Sequence, residues 1–168
     1  GVGLYRTEAL FLRKNEMPSE DVQYLHYREL VEAAAPLSVT IRTLDLGGDK
    51  VLDLGDREKE SNPFMGFRAI RYCLRNPEIF LVQLRAILRA SAHGEVKIMF
   101  PMISGVGEVI RAKALLERAK EELRVEEVNF DESIEIGCMI ETPSAVTICD
   151  ILAKEVDFFS VCLLYTSD

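Results

Sequence analysis

A strand and the turn after it are encoded by the stretch Val39-Thr-Ile-Arg-Thr-Leu-Asp-Leu-Gly-Gly-Asp-Lys50. Its first half is β-branched and apolar, a composition typical of a buried strand, and we predict a strand over Val39–Leu46. Its second half is a two-glycine turn flanked by carboxylates. Because burying unpaired charges costs free energy, a strand that carries Arg42 and Asp45 out of an apolar run is expected to deliver them to a site.

Four further runs have the same strand-like composition. They are Gly1–Tyr5, Val96–Phe100, Ile134–Ile140 and Asp157–Val161. The segments between them place apolar residues at helical spacing, so strands and helices alternate, as in a parallel sheet covered by helices. We count about five βα units, whereas a closed (β/α)8 barrel needs eight units and about 250 residues. The sequence therefore predicts an α/β fold, a partial TIM-type barrel.

Two of the predicted helices have well-marked ends or faces. Ser19 is placed to cap the first, and Pro36 should end it. The second follows Gly105-Val-Gly107, and an apolar stripe predicts its buried face. That stripe consists of Ala112, Leu115, Ala119 and Leu123. The charged residues expected to face the solvent are Glu108, Arg111, Lys113 and Glu117.

The composition is ordinary for a water-soluble chain and has an acidic balance. The 168 residues carry a formal net charge of −8, which argues against nucleic acid as a partner because nucleic acids attract basic surfaces. No apolar run reaches the roughly 18–20 residues of a membrane span. The cysteines lack metal-type spacing and lie in apolar contexts, so we expect buried free thiols and a cytoplasmic location.

The working groups of a βα barrel lie at the carboxyl ends of its strands. Here those ends supply Arg6, Arg42 and Glu141. Asp45 follows Arg42 closely. Arg68 enters the site from the turn after Asn62-Pro-Phe-Met-Gly66. An arginine near a strand end is often a surface or ion-pair residue, and that alternative stays open for each of them. Three guanidinium groups facing one mouth fit phosphate and carboxylate oxygens, so they favour a small polyanion such as a phosphorylated carboxylic acid.

Glu141 ends the apolar run Ile134–Ile140 and is followed by Thr142 and Pro143. Two interpretations stay open for its carboxylate. It is either an acid stabilised by the dipole of the single helix predicted after Pro143, roughly Ser144–Lys154, or a ligand of Mg²⁺. Mg²⁺ typically takes one or two protein carboxylates together with substrate oxygens.

Five motifs stand in order along the chain with natural spacing. They are Gly3-Leu-Tyr-Arg-Thr-Glu8, Arg42-Thr-Leu-Asp-Leu-Gly-Gly-Asp-Lys50, Asn62-Pro-Phe-Met-Gly-Phe-Arg-Ala-Ile-Arg71, Met99-Phe-Pro-Met102 and Gly137-Cys-Met-Ile-Glu-Thr-Pro143. Together they closely resemble the C-terminal phosphoenolpyruvate-binding barrel of the phosphoenolpyruvate–protein phosphotransferase family, enzyme I of the bacterial sugar phosphotransferase system. The related dikinases and phosphoenolpyruvate synthases share some of these elements, and such a barrel stays an alternative. A non-catalytic binding or dimerisation module is another.

The resemblance implies a function and a set of site residues. Arg6 and Arg42 would hold the phosphate of phosphoenolpyruvate, Arg68 would lie nearby, and Glu141 would be one Mg²⁺ ligand. The family transfers that phosphoryl group to a histidine of a separate upstream domain and releases pyruvate. The histidine then passes the group to a small phosphocarrier protein for sugar uptake. Family members usually form homodimers through this barrel.

The resemblance ends near Val161. There the family continues with a Gly-Thr-Asn-Asp segment that supplies a substrate-binding Asn and the second Mg²⁺ ligand, whereas positions 162–165 of this chain read Cys-Leu-Leu-Tyr. We therefore expect an incomplete barrel domain over residues 1–161, a non-matching tail over residues 162–168, and missing upstream domains. We also expect no turnover by this chain alone.

Overall fold

The computed structural model describes residues 3–12, 17–45 and 70–161, which form a parallel β-sheet and its helices. The strands are β1 (Tyr5–Arg6), β2 (Val39–Arg42), β3 (Val96–Phe100), β4 (Glu135–Ile140) and β5 (Phe158–Val161). The helices are α1 (Glu8–Leu12), α2 (Glu20–Ala34), α3 (Ile70–Arg75), α4 (Pro77–Ala90), α5 (Val106–Val125), α6 (Pro143–Thr147) and α7 (Cys149–Leu152), with a 3-10 turn at Ser91–His93. The predicted α/β class is confirmed.

The five strands lie in the order in which they occur along the chain. Each strand pairs with the next in parallel, from β1 at one side of the sheet to β5 at the other. Because all the strands run the same way, their carboxyl ends lie at one edge of the sheet. The register places Arg6 beside Arg42, and Arg42 beside Met99, at or near that edge.

The two faces of the sheet have different surroundings, because successive side chains of a strand project to opposite faces. One face carries Ile98 and Phe100, which are fully buried in the apolar core. Helices cover this face, and the ring of Phe80 on α4 meets the ring of Phe100 edge-on, with centroids 6.2 Å apart. The other face carries Arg42 and Met99, so it presents polar as well as apolar side chains.

The ends of α2 follow the local chemistry of the sequence. The hydroxyl oxygen of Ser19 accepts a hydrogen bond from the backbone N–H of Val22, 3.3 Å away, so Ser19 caps the helix as predicted. The helix ends at Ala34, two residues before Pro36, which is also as predicted. Local signals are reliable here because the capping and the termination of a helix depend on neighbouring residues.

Two predicted boundaries are wrong. The strand expected to continue to Leu46 ends at Arg42. Beyond that point the backbone N–H of Leu44 donates to the side chain of Gln83, so this N–H is not available to extend the pairing with β1. Leu46 itself lies outside the described residues. The single helix expected after Pro143 is divided into α6 and α7 at Ile148, whose φ of −113° and ψ of 17° are not helical.

The cysteines of the described part of the chain are free thiols. Burial raises the pKa of Cys73 to about 12 and that of Cys138 to about 11, as expected for buried thiols. Cys149 is exposed at the start of α7, so the prediction that it is buried is wrong. Cys162 lies outside the described residues.

None of the helices in the described ranges has the length and apolar character that crossing a bilayer requires.

Candidate functional site

Two arginines lie side by side at the edge where the strands end. Arg6 is the last residue of β1, Arg42 is the last residue of β2, and the two are direct partners in the sheet register. Partners in a parallel ladder project to the same face of the sheet, because their strands share one direction and one pleat. Arg6 is exposed, whereas Arg42 is only 7% exposed. The structure thus brings one exposed and one buried arginine together.

Arg42 is held by carboxylates on both sides. Its Nη2 donates to Oε1 of Glu8 at 2.7 Å, and its Nη1 lies 3.2 Å from Oδ2 of Asp45. The side chains of Glu8 and Asp45 are 18% and 10% exposed. Asp45, predicted to reach the site, therefore does so as a partner of Arg42. Glu8 was not predicted as a partner, although it stands two residues after Arg6 in the first motif.

The guanidinium of Arg42 also reaches across the sheet. Its Nη1 lies 3.8 Å from the sulfur of Met139 on β4, so the side chain extends over β3. Its Nε is buried and has no hydrogen-bond partner among the residues that the structure describes. Leaving a buried donor unsatisfied costs about 1–3 kcal/mol. Arg42 thus has donor capacity beyond its contacts with the described residues.

Glu141 lies at the same edge, directly after β4. Its Oε1 accepts a hydrogen bond from the backbone N–H of Met102, which follows β3, at 2.7 Å. Met102 has a φ of 52°, in the left-handed region that costs free energy for a residue with a side chain. Thr142, and not Glu141, caps α6, because its hydroxyl oxygen accepts the N–H of Ala145. The loop after β3 therefore orients the carboxylate of Glu141.

The other end of this loop is held by Glu108, which was expected to face the solvent and is 7% exposed instead. Its Oε2 accepts the backbone N–H of Ser104 at 2.8 Å, and its Oε1 accepts the Ser104 hydroxyl at 3.0 Å and Nε of Arg71 at 3.1 Å. The cause is local. Glu108 is the third residue after the cap Gly105, a position from which a glutamate turns back to the N–H groups before the helix. That spacing was the missed sequence signal.

The predicted site residues within the described ranges share one edge of the sheet. Arg6 and Arg42 are register partners, and Met139, which Arg42 contacts, lies two residues before Glu141. The register pairs Arg42 with Met99 and Met99 with Gly137. Met139 lies two residues after Gly137 on the same strand, so it projects to the same side as Arg42. Arg68, the third predicted arginine, lies outside the described residues.

The residues present at this edge fit a magnesium ion whose ligands come partly from the protein and partly from a substrate. Among residues 3–12, 17–45 and 70–161, no group of three His, Cys, Asp or Glu side chains is arranged to enclose a metal. Mg²⁺ does not need such a cage, because one or two carboxylates suffice when substrate oxygens and water complete the set. Met102 binds Oε1 of Glu141, and the described residues place no hydrogen-bond partner on Oε2.

A cavity of about 670 Å³ lies at the opposite side of the fold, near Ala92 and His93, which precede β3. Its lining includes three carboxylates, those of Glu20, Asp21 and Glu126, and the lining arginine is engaged by two of them. Arg89 pairs with Glu20 at 2.9 Å and with Asp21 at 2.8 Å, and it stacks over a tyrosine ring of α2. The strand-end edge, with a buried arginine and an oriented carboxylate, is therefore the stronger candidate site.

Comparison with known proteins identifies the family of the chain. The family model described as PEP-utilising enzyme, PEP-binding domain, matches residues 1–163. Phosphoenolpyruvate-protein phosphotransferases of Priestia megaterium and Haemophilus influenzae are 51% and 52% identical over 161 residues, and that of Staphylococcus carnosus is 50% identical. Each match covers 96% of this chain and 28% of the relative, so the chain spans little more than a quarter of those proteins. This chain belongs to the family of PEP-utilising enzymes and matches its PEP-binding domain.

Proposed function

We propose that this chain is the phosphoenolpyruvate-holding part of a phosphoenolpyruvate–protein phosphotransferase. The observation that carries the proposal is the pair of arginines at the carboxyl ends of β1 and β2, one exposed and one buried, in a chain of this family. In this proposal Arg6 and Arg42 hold the phosphate, Arg68 lies nearby, and Glu141 is one Mg²⁺ ligand.

The sheet is proposed to be part of a (β/α)8 barrel of the phosphoenolpyruvate-binding type. Three features support this. The strands are parallel, they follow chain order, and the helices pack on the face that carries the apolar core. A barrel is built by adding strands in this order, and its chemistry is carried at the carboxyl ends of the strands.

The chemistry asked of these residues is charge neutralisation. When the phosphoryl group is transferred, its bond to the enol oxygen breaks and a bond to the acceptor nitrogen forms, while the enolate takes up a proton to become pyruvate. Guanidinium groups remain charged throughout the physiological pH range and fit phosphate oxygens. Burial of Arg42 strengthens its electrostatic effect, because the surroundings screen less than water does. When bound, Mg²⁺ would neutralise further negative charge on the substrate.

The acceptor belongs to the proposed whole protein. We propose a histidine on another domain, which relays the phosphoryl group to a phosphocarrier protein in sugar uptake, and a homodimer formed through this domain. No histidine is included among the proposed site residues of this chain. The 168-residue chain alone is therefore expected to release no pyruvate from phosphoenolpyruvate, and steady release by the purified chain would contradict this expectation.

A hybrid protein tests the proposal. Residues 1–161 replace the matched segment of the Priestia megaterium relative, and phosphoryl transfer from phosphoenolpyruvate to the hybrid is followed with a radioactive phosphate. We expect transfer by the hybrid, and a loss of about 10- to 150-fold in kcat/KM for Arg42→Ala, because a charge-assisted hydrogen bond contributes about 1.5–3 kcal/mol. Glu141→Gln should raise the Mg²⁺ concentration needed for half-maximal rate.

Arg28→Ala is the matched control. Arg28 is an exposed arginine on α2 that pairs with Glu32, so its removal should leave transfer unchanged. If Arg42→Ala and Glu141→Gln both retain the rate and the Mg²⁺ dependence of the unmodified hybrid, the proposed site is wrong.

A further inference from the structure

We propose that Gln83 is a positioning residue that holds the two phosphate-binding arginines in register. The inference rests on the proposed function, since it assigns Arg6 and Arg42 to the phosphate. Gln83 lies on α4, contacts neither guanidinium in the described structure, and acts through the backbone at the ends of β1 and β2.

The amide of Gln83 is connected to the backbone at Arg42 and directly after it. Its Nε2 donates to the hydroxyl of Thr7 at 3.2 Å, and that hydroxyl donates to the carbonyl oxygen of Arg42 at 3.0 Å. Its Oε1 accepts the backbone N–H of Leu44 at 2.9 Å. Where β2 stops, Gln83 therefore holds the N–H of Leu44 directly and the carbonyl of Arg42 through Thr7.

The same contacts connect β1 with β2. Thr7 directly follows Arg6, the last residue of β1, and directly precedes Glu8, the carboxylate partner of Arg42. The hydrogen bond from Thr7 to the Arg42 carbonyl is thus a bridge between the ends of two adjacent strands. Gln83 holds that bridge, so it constrains where both arginines leave the sheet.

The helix side of the network anchors Gln83 in turn. Its Nε2 also donates to the hydroxyl of Tyr27 at 3.3 Å, Tyr27 donates to Oε1 of Gln23 at 3.1 Å, and Nε2 of Gln23 donates to the carbonyl of Pro18 at 2.9 Å. Burial raises the pKa of Tyr27, so this phenol remains a donor at neutral pH. Both N–H donors and the carbonyl of Gln83 are therefore in use.

Only a side chain that is both donor and acceptor can make these contacts, and Gln83 is 1% exposed, so water does not substitute for it. Leucine has nearly the same size, but it leaves the N–H of Leu44 without its acceptor and the hydroxyl of Thr7 without its donor. Buried polar groups without partners move towards other partners, which here means displacement of the backbone that carries Arg42.

The test uses the full 168-residue chain and two probes, phosphoenolpyruvate with Mg²⁺ and pyruvate, which lacks the phosphate. Amide chemical shifts report both dissociation constants. We expect the wild-type chain to prefer phosphoenolpyruvate, and we expect Gln83→Leu to reduce that preference at least fivefold with little change for pyruvate. A general loss of folding would instead weaken the binding of phosphoenolpyruvate and of pyruvate to the same extent. Should Gln83→Leu fail to fold, Thr7→Val is a smaller change that removes the bridge held by Gln83.

Ser91→Ala is the matched control, because Ser91 is also a buried polar residue, and its hydroxyl oxygen accepts the N–H of Asp131 at 2.8 Å, outside the Gln83 network. It should retain the phosphate preference. The inference is overturned if Gln83→Leu and Thr7→Val keep the wild-type preference, or if Ser91→Ala loses it equally.

Hydrogen exchange separates failure of the inference from failure of the proposed function. A wild-type chain with no preference for phosphoenolpyruvate contradicts the proposed function. In that case exchange of the Leu44 amide still decides the role of Gln83. Exchange at least tenfold faster in Gln83→Leu supports the role of Gln83 at the strand ends, and unchanged exchange overturns it.

Discussion

Replacing Arg42 by methionine should destabilise the protein more than removing an exposed arginine with the same ion-pair distance. Nη2 of Arg42 lies 2.7 Å from Glu8, and Nε of Arg28 lies 2.7 Å from Glu32. The two pairs differ in burial. The side chain of Arg42 is 9% exposed and that of Arg28 is 42% exposed. The comparison therefore sets a buried arginine with two carboxylate partners against an exposed arginine paired with Glu32.

The expected magnitude follows from what each substitution leaves behind. Methionine at position 42 leaves Glu8 and Asp45 largely buried without their shared cation, and removing one partner of a buried ion pair costs about 3–5 kcal/mol. Because Glu8 is 18% exposed, we expect the lower end, about 3 kcal/mol. For a chain of this length that corresponds to a fall in Tm of about 6–12 °C. Arg28→Met should cost about 0.5 kcal/mol or less, as exposed pairs do.

Urea denaturation of the full chain at pH 7, followed by circular dichroism, measures both values. A double variant then identifies the cause. Adding Glu8→Gln to Arg42→Met removes one uncompensated carboxylate, so it should recover at least about 1 kcal/mol of the loss. It should not recover phosphoenolpyruvate binding, because the guanidinium is still absent.

Two outcomes would refute this reasoning. One is a loss below about 1 kcal/mol for Arg42→Met, which would mean that its contacts are energetically equivalent to those of an exposed pair. The other is further destabilisation on adding Glu8→Gln, which would mean that Glu8 contributes through contacts other than its pairing with Arg42.

Three further predictions concern single residues. Glu108→Gln should lower the free energy of unfolding by about 1–3 kcal/mol in urea denaturation, because an amide replaces a buried carboxylate that accepts three hydrogen bonds. Gly137→Ala should cost about 1–3 kcal/mol in the same assay, since an added Cβ would overlap the ring of Phe158 on the neighbouring strand. At pH 8 a thiol reagent should modify exposed Cys149 well before Cys73, whose pKa burial raises to about 12, as peptide mass spectrometry would show.

Each of these predictions has an opposite outcome. Glu108→Gln and Gly137→Ala would contradict the structure if their unfolding curves matched that of the wild type. Equal modification rates for Cys149 and Cys73 would show that the packing around α3 is looser than described.

Features that depend on neighbouring residues were readable from the sequence. The apolar runs at the four later strands and the helical spacing between them indicated a parallel α/β arrangement, because strand and helix periodicities are local properties. Ser19 and Pro36 marked the ends of α2 for the same reason. The strand ends also indicated where charged groups would lie, since parallel strands bring their carboxyl ends to one edge.

The partners of those charged groups were decided by tertiary structure. Arg42 pairs with Glu8, which is 34 positions away, and its backbone is held through Thr7 by Gln83 on α4. Glu108 is buried against Ser104, although its charge indicated an exposed position. Charge and periodicity specify which face of an element a residue occupies. Which donor meets which acceptor depends on distances in three dimensions, and only the packed fold determines those.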